Sequence, residues 1–166
     1  MKERKYQIHE FEPVFDAESR ILILGTFPSV KSRETAFYYG HPQNRFWKVL
    51  AYLTTEPMPQ TVAEKKSLLF RHHIALWDVI ASCEIFGSSD NSIQNVVPVN
   101  LDKVLNQCSI KKIFANGKLA GKLYRQYLEP MTQMEIHMLP STSPANAMYD
   151  FERLLTQWQI MKVFLD

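Results

Sequence analysis

The most constraining feature of this sequence is a short, uninterrupted apolar run. Residues 20–25 read RILILG, so four aliphatic side chains follow one another and a glycine ends the run. A strand with one face in water alternates apolar and polar residues, whereas a strand buried on both faces is apolar throughout. The run therefore predicts a central strand of a sheet that other elements cover on both sides.

Beyond this strand, helical and strand-like apolar patterns alternate along the chain. Helices are predicted at residues 44–52, 62–72, 101–107, 118–128 and 147–159, and strands or strand-like apolar segments at 74–80, 110–115 and 135–139. Two stretches are predicted as long loops: residues 26–43, with room for one short helix, and residues 82–95.

Alternating strands and helices are typical of an α/β domain with a mainly parallel sheet. We expect a three-layer α/β/α sandwich whose central sheet has four or five strands. A length of 166 residues suits one domain, so residues 1–166 are predicted to form a single unit. Open sheets of this kind place their sites at the carboxyl ends of strands, which here lead into the loops after Leu24, Ala115 and Leu139.

Charge and composition exclude several classes of protein. Nineteen Lys and Arg residues face 17 Asp and Glu residues, and a net charge of +2 excludes polybasic binding of nucleic acid but leaves room for a local basic groove. No apolar run approaches the roughly 20 residues of a membrane span. Neither the two cysteines, Cys83 and Cys108, nor the five histidines have metal-ligand spacing. We expect a cytoplasmic protein with no membrane contact, no metal and no cofactor.

Three segments carry an unusual combination of polar and aromatic residues. They are residues 25–29 (GTFPS), 41–47 (HPQNRFW) and 139–146 (LPSTSPAN). Each has an ordinary structural interpretation: a turn after a strand for the first, and helix caps for Asn44 and for the third segment. Outside the three segments, Asp78 is predicted to be structural.

Together the three segments resemble the uracil-DNA glycosylase superfamily, whose first motif follows the first strand and whose second lies in a Pro/Ser loop before the last helix. Together with the tyrosine pair at 38–39, the combination is closest to the hypoxanthine (deoxyinosine)-DNA glycosylase branch. Residues 41–49 are also similar to the mismatch-specific uracil/thymine-DNA glycosylases. The resemblance covers roughly residues 21–155. It implies a monofunctional glycosylase of base excision repair that hydrolyses the N-glycosidic bond of a flipped, deaminated base, preferably hypoxanthine.

The resemblance also assigns roles to residues. Asn44 is the expected catalytic residue, and its amide could either position water or bind the base. The expected base pocket consists of Gly25, Thr26, Phe27, Pro28 and Tyr39. Tyr39 is the aromatic residue expected to stack on the flipped base.

The expected partner is DNA that contains deaminated bases, bound by a monomer. The residues expected to contact this DNA are Ser29, Ser32, Lys118, Ser141, Ser143, Pro144, Ala145 and Asn146. The loop over 141–146 is expected to enter the minor groove and fill the vacated stack. Asn146 would contact a phosphate or the opposite base, beside a helix N-terminus that favours phosphate.

Two residues that differ from the superfamily pattern limit which catalytic mechanism is expected. Phe27 stands where many members carry a water-positioning Asn, and Ser141 stands where uracil-specific members carry a catalytic His. Both departures argue against the usual uracil mechanism and leave Asn44 as the central residue. The alternatives are a uracil or G:U/G:T mismatch-specific glycosylase, and a catalytically lapsed member that binds lesions.

Overall fold

The run that ends at Gly25 forms the central strand that it predicts. All five residues of Ile21–Gly25 are buried, and the strand pairs in parallel with a neighbour on each side. The computed structural model describes residues 4–87 and 89–165. Within these ranges the strands, in chain order, are β1 (Lys5–Ile8), β2 (Ile21–Gly25), β3 (Ile74–Asp78), β4 (Ile80–Ile85), β5 (Gln94–Pro98), β6 (Lys112–Asn116) and β7 (Ile136–Leu139).

The helices connect these strands and cover the sheet. In chain order they are α1 (Val30–Thr35), α2 (Phe46–Thr54), α3 (Val62–Arg71), α4 (Asp102–Leu105), α5 (Lys118–Tyr127), α6 (Glu129–Thr132) and α7 (Phe151–Trp158). Short 3₁₀ segments lie at Asp90–Ser92 and Gln159–Phe164. Among the described residues, no helix combines the length and the apolarity that crossing a membrane requires.

Strands β3, β2, β6 and β7 form a four-stranded parallel sheet in that order. The crossover from β2 to β3 runs in one direction along the sheet, and the crossover from β6 to β7 runs in the other. Because parallel crossovers are right-handed, these two connections place their helices on opposite faces. The predicted α/β/α sandwich with a parallel sheet is confirmed.

A second, three-stranded sheet in the order β1-β4-β5 was not predicted. The predicted loop over residues 82–95 is wrong at both ends, since β4 extends into it as far as Ile85 and β5 begins within it at Gln94. Polar residues such as Ser82 and Glu84 conceal the strand pattern of β4. Its partner β1 lies far away in the chain, with Lys5 opposite Ile85, so no local pattern could reveal the pairing.

The last helix begins later than predicted, and this lengthens the loop before it. Its first residue is Phe151 rather than Ala147, and Asp150 caps it by accepting a hydrogen bond from the Arg153 backbone N–H at 2.9 Å. The Ser141 hydroxyl instead accepts from the backbone N–H two residues further on, at 3.1 Å. Such local bends compete with helix formation, so residues 141–149 are irregular.

Other boundaries differ by only a few residues. The short helix allowed for in the first loop is α1, capped by the Ser29 hydroxyl, which accepts from the Ser32 N–H at 3.1 Å. Helix α2 begins at Phe46 rather than Asn44, and α4 is limited to Asp102–Leu105.

The core joins the last helix to the carboxyl edge of the sheet. Trp158 of α7 is fully buried. Its indole N–H donates to the Pro140 carbonyl at 2.9 Å, directly after β7. This hydrogen bond anchors one end of the loop that precedes α7.

The two cysteines are both free thiols. Cys83 lies in β4, and burial raises the pKa of its thiol to about 11. Because the thiolate is the reactive form, Cys83 is an inert core residue at neutral pH.

We predict that Ile23→Ala lowers the free energy of unfolding by about 2–5 kcal/mol, the usual cost of removing a buried aliphatic side chain from a well-packed core. Ile23 is fully buried at the centre of the parallel sheet. Urea unfolding measures the change. The control is Val163→Ala, whose side chain is 79% exposed and which should change stability by no more than about 0.5 kcal/mol. An equal loss of unfolding free energy in both variants would contradict the central, buried position of Ile23.

Candidate active site

A cavity of about 520 Å³ opens at the carboxyl edge of the parallel sheet. Gly25 and Asn116, at the ends of adjacent strands β2 and β6, line it together with Asp78 at the end of β3. The cavity therefore lies at the predicted edge of the sheet, because the carboxyl ends of parallel strands meet there.

The structure brings most of the predicted site residues to this cavity. Those that line it are Gly25, Thr26, Phe27, Pro28, Ser29, Ser32, Tyr39, Asn44, Ser141, Ser143, Pro144 and Ala145. Lys118 and Asn146 are not part of its lining.

Three side chains from distant segments form a buried polar chain beside the cavity. Asn116 Nδ2 donates to Thr142 Oγ1 at 3.0 Å, and the Thr142 backbone N–H donates to Asn116 Oδ1 at 3.0 Å. The Thr142 hydroxyl in turn donates to Asn44 Oδ1 at 2.8 Å. Asn44 is thus joined to the end of β6 through Thr142, which is fully buried.

This chain decides which way the Asn44 amide faces. Asn44 Oδ1 also accepts from the Phe46 N–H at 2.9 Å, so the predicted capping interaction is present in addition to the bond from Thr142. With two donors pointed at it, that atom must be the carbonyl oxygen. Among the described residues, none accepts a hydrogen bond from Asn44 Nδ2, and Asn44 lines the cavity. The amide therefore presents a donor to whatever the cavity holds.

Tyr39 lines the cavity with a ring whose position is set by its neighbours. The ring stacks on Phe46 with centroids 4.0 Å apart, and the backbone adopts a left-handed conformation with φ of 54°. The hydroxyl is buried without a hydrogen-bond partner among the described residues. Burial, and secondarily the charge of Asp78, raise the pKa of Tyr39, so the phenol stays protonated.

Gly25 leaves space that no other residue could leave. A Cβ at this position would collide with Asp78 Oδ1 and lie 2.9 Å from the Tyr39 hydroxyl. The absence of a side chain therefore opens the floor of the cavity to both oxygens.

Asp78, which we predicted to be structural, also lines the cavity. Its Oδ2 lies 2.7 Å from His9 Nε2, and both side chains are buried. His9 directly follows β1, the strand that sequence patterns missed, so no local signal linked it to the site.

Arg45, adjacent to Asn44, clamps the loop over residues 141–149. Its guanidinium donates to the carbonyls of Ser143 at 2.9 Å and Asn146 at 3.2 Å, and also to those of Thr142 and Tyr149. A planar guanidinium offers five donors in a fixed fork, which suits a curved loop with several carbonyls turned inward. Arg45 lies within the segment at residues 41–47, yet its role depends on a loop far away in sequence.

Two of the predicted DNA contacts serve the protein itself. Ser32 is only 2% exposed, and its hydroxyl accepts from the Gly40 N–H at 2.9 Å. Asn146 Nδ2 donates to the Ser141 carbonyl at 3.0 Å. The helix that we expected to begin beside Asn146 begins only at Phe151. Ser32 is therefore a buried residue that braces the loop at Gly40, and its contact with DNA stays a prediction. The helix N-terminus expected beside Asn146 is wrong.

The two departures noted in the sequence have clear structural consequences. The Phe27 ring packs edge-on against His9, with centroids 6.0 Å apart, and can provide an apolar wall but no hydrogen bond. The Ser141 hydroxyl is used within its own turn. Neither position supplies an amide or an imidazole to the cavity.

Comparison with known proteins identifies the family to which this chain belongs. The family model described as the Uracil DNA glycosylase superfamily matches residues 12–165. The chain belongs to this superfamily. Membership confirms the resemblance that the three segments indicated and the prediction that the protein is a DNA glycosylase.

Two relatives of this superfamily member are both named hypoxanthine DNA glycosylase. The one from Methanosarcina acetivorans is 33% identical over 158 residues, covering 90% of this chain and 94% of the relative. The one from Methanosarcina barkeri is 36% identical over 146 residues, covering 82% of this chain and 86% of the relative.

The fold is similar to a solved structure as well. The solution NMR structure of a candidate uracil DNA glycosylase from Methanosarcina acetivorans superimposes with a TM-score of 0.77 at 31% identity. It covers 93% of this chain and 96% of the other.

We predict that Thr142→Val slows base release about 10- to 100-fold, because it leaves Asn116 Nδ2 without its acceptor, at about 1–3 kcal/mol, and removes one of the two donors that orient Asn44 Oδ1. Valine keeps the shape of threonine, so packing changes little. Single-turnover release from lesion-containing DNA measures the effect. The control is Thr156→Val, an exposed residue of α7 whose hydroxyl bonds only within its own helix. If Thr142→Val releases the base as fast as this control, the polar chain does not contribute to base release.

We predict that Arg45→Lys loosens the loop over residues 141–149. Lysine keeps the charge, but one ammonium cannot serve four carbonyls, so amide hydrogen exchange in this loop should rise more than about tenfold. Mass spectrometry of exchanged peptides measures the change. Arg125→Lys, on the exposed side of α5, is the matched control and should leave the loop unchanged.

Proposed function

We propose that this protein is a monofunctional hypoxanthine DNA glycosylase of base excision repair, acting on DNA that contains deaminated bases. The observation that carries the proposal is the fixed polarity of Asn44, whose oxygen is occupied by Thr142 and Phe46 and whose Nδ2 group remains a donor at the cavity. The names of both Methanosarcina relatives support the same activity.

Hydrolysis of the N-glycosidic bond requires a hydrogen-bond donor near the departing base. When the C1′–N9 bond breaks, its electron pair moves to the purine and the sugar becomes a cation. Water then adds to C1′, its oxygen staying on the sugar and its released proton balancing the charge of the departing base. A pre-oriented N–H near the base stabilises the negative charge that develops on it. We therefore assign Asn44 to binding the base through an acceptor atom rather than to activating water.

The walls of the cavity suit a flat, flipped base. Phe27 and Tyr39 provide aromatic surface, and Tyr39 is held from behind by Phe46. Flipping costs a few kcal/mol and is easiest where a deaminated base weakens the pair. Stacking on fixed rings offsets part of this cost.

The absence of an Asn at position 27 and of a His at position 141 favours hypoxanthine over uracil. Both are the positions on which the resemblance placed the usual uracil chemistry, and here neither Phe27 nor Ser141 offers the corresponding group to the cavity.

Contacts to DNA are proposed to be few and local. Ser143, Pro144 and Ala145 belong to the clamped loop at the cavity, and Ser29 also lines the cavity. Lys118 is exposed at the start of α5 and would reach a phosphate from outside the cavity. A small number of phosphate contacts is compatible with a net charge of only +2.

Three further expectations belong to this proposal. The protein is proposed to act as a monomer, as the sequence predicted. The two free thiols suit the reducing conditions of the cytoplasm. The match to residues 12–165 supports one glycosylase domain over residues 1–166.

The direct test is base release from duplexes that differ only in the lesion: hypoxanthine, uracil, xanthine, or thymine opposite guanine. We expect hypoxanthine to be released fastest and the rate to be the same with a chelator present. Faster release of uracil would overturn the substrate assignment. No release from any duplex would overturn the catalytic assignment in favour of lesion binding.

We predict that Asn44→Asp reduces hypoxanthine release by about 10²–10³-fold, the usual loss when one donor to a developing charge is removed. The substitution keeps the shape and the accepting oxygen but replaces Nδ2 by a second oxygen. Affinity for undamaged DNA, measured by fluorescence anisotropy, should stay near that of the wild type. Asn106→Asp, at the exposed end of α4, is the control for the change in charge. An Asn44→Asp variant within tenfold of this control would show that the Nδ2 donor is not needed.

A further inference from the structure

Beneath the cavity lies a buried hydrogen-bonded pair whose role the mechanism above does not use. His9 and Asp78 have side chains only 3% and 5% exposed, and their nitrogen and oxygen are 2.7 Å apart. Burying a carboxylate is costly unless it is paired. Here one of its oxygens has a partner, and the other faces the cavity.

The hydrogen bonds around His9 show where its proton lies. Nδ1 accepts from the Phe11 backbone N–H at 3.2 Å, so the ring proton is on Nε2, which donates to Asp78 Oδ2. Phe27 packs edge-on against the His9 ring and Tyr38 packs at a tilt, both with centroids 6.0 Å away. His9 is therefore fixed, and it fixes the carboxylate in turn.

The other oxygen of Asp78 remains available. Oδ1 lies so close to Gly25 that a Cβ there would collide with it, and Asp78 lines the cavity. No described residue donates a hydrogen bond to this oxygen. The floor of the cavity thus presents a fixed acceptor.

A fixed acceptor at the floor meets the base rather than the sugar. A flipped nucleotide keeps its sugar attached to the strand outside, so the edge of the base goes deepest. Hypoxanthine presents N1–H beside O6 on its Watson–Crick edge. Adenine presents the reverse pattern, a bare N1 beside an amino group, and a carboxylate oxygen repels that N1 lone pair.

We propose that Asp78, held by His9, determines specificity by accepting a hydrogen bond from N1–H of the flipped hypoxanthine and by disfavouring adenine. This inference rests on the proposed function. Asp78 lies on one side of β2, while Asn116, which braces the Asn44 donor through Thr142, lies on the other. The cavity therefore offers both an acceptor and a donor, and adenine has no N1–H to donate to the acceptor.

The substitution Asp78→Asn tests this polarity with little change in shape. His9 Nε2–H still needs an acceptor, so the amide oxygen would take that hydrogen bond and the NH₂ group would face the cavity. The floor would then donate instead of accepting. A site built to bind a substrate N–H discriminates strongly against analogues that lack it.

The measurement compares the affinities of duplexes carrying 2′-fluoro-2′-deoxyinosine or 2′-fluoro-2′-deoxyadenosine, whose glycosidic bonds resist hydrolysis. We expect the wild type to prefer the inosine duplex and Asp78→Asn to lower this preference by about tenfold or more. A purely structural role would weaken binding of both duplexes equally. Asp102→Asn, on the exposed side of α4, is the matched control and should keep the wild-type ratio.

His9 is tested as a positioning residue. His9→Gln retains an N–H donor for Asp78 and should keep most of the preference for inosine. His9→Leu removes the donor and should lower the ratio as Asp78→Asn does. Thermal unfolding of each variant establishes that the compared proteins are folded.

The outcomes separate this inference from the function on which it rests. A wild type that releases hypoxanthine, with an unchanged ratio in Asp78→Asn, would overturn the inference and leave the proposed function standing. A wild type that releases no hypoxanthine would overturn both. A lowered ratio in Asp78→Asn and His9→Leu, with the ratio kept in His9→Gln, would support the role of the pair.

Discussion

The site depends on the hydrogen bonds of one buried threonine side chain and its backbone. Thr142 joins Asn116, at the end of β6, to Asn44, which lies 98 residues away in the chain. Because buried polar atoms cannot be left unpaired without a large cost, each of these bonds limits where the others can lie. Arg45 holds the same loop from a second direction through its carbonyls. The loop before the last helix is therefore rigid although it has no regular secondary structure.

In the proposed function, a protein with a net charge of only +2 recognises a lesion through polar groups confined to one cavity. The cavity is lined by a donor on Asn44 and a carboxylate acceptor on Asp78, with the glycine end of β2 beside the carboxylate. In a low-dielectric cavity such fixed groups act more strongly than mobile surface charges do. The carboxylate is kept in place by His9, so its orientation does not have to change when the base arrives.

Prediction from sequence succeeded where a pattern is local. The apolar run ending at Gly25 became the central buried strand, and the Ser29 cap began the short helix α1. Prediction failed where strands far apart in the sequence pair with each other. Strand β1 pairs with β4, so that Lys5 lies opposite Ile85, and no local pattern reveals this pairing. The start of α7 was missed because the hydroxyl of Ser141 forms a turn in the loop before it.

The sequence by itself determined the α/β class, the position of the site at the strand ends and the family, because these follow from apolar periodicity and from motifs contained in short segments. Only the tertiary structure decided the polarity of the site. Whether Asn44 donates or accepts depends on Thr142, and whether Asp78 is structural or faces the cavity depends on His9. These partners come from distant parts of the chain, and hydrogen-bond direction is set by the neighbours that folding brings together rather than by the residue type alone.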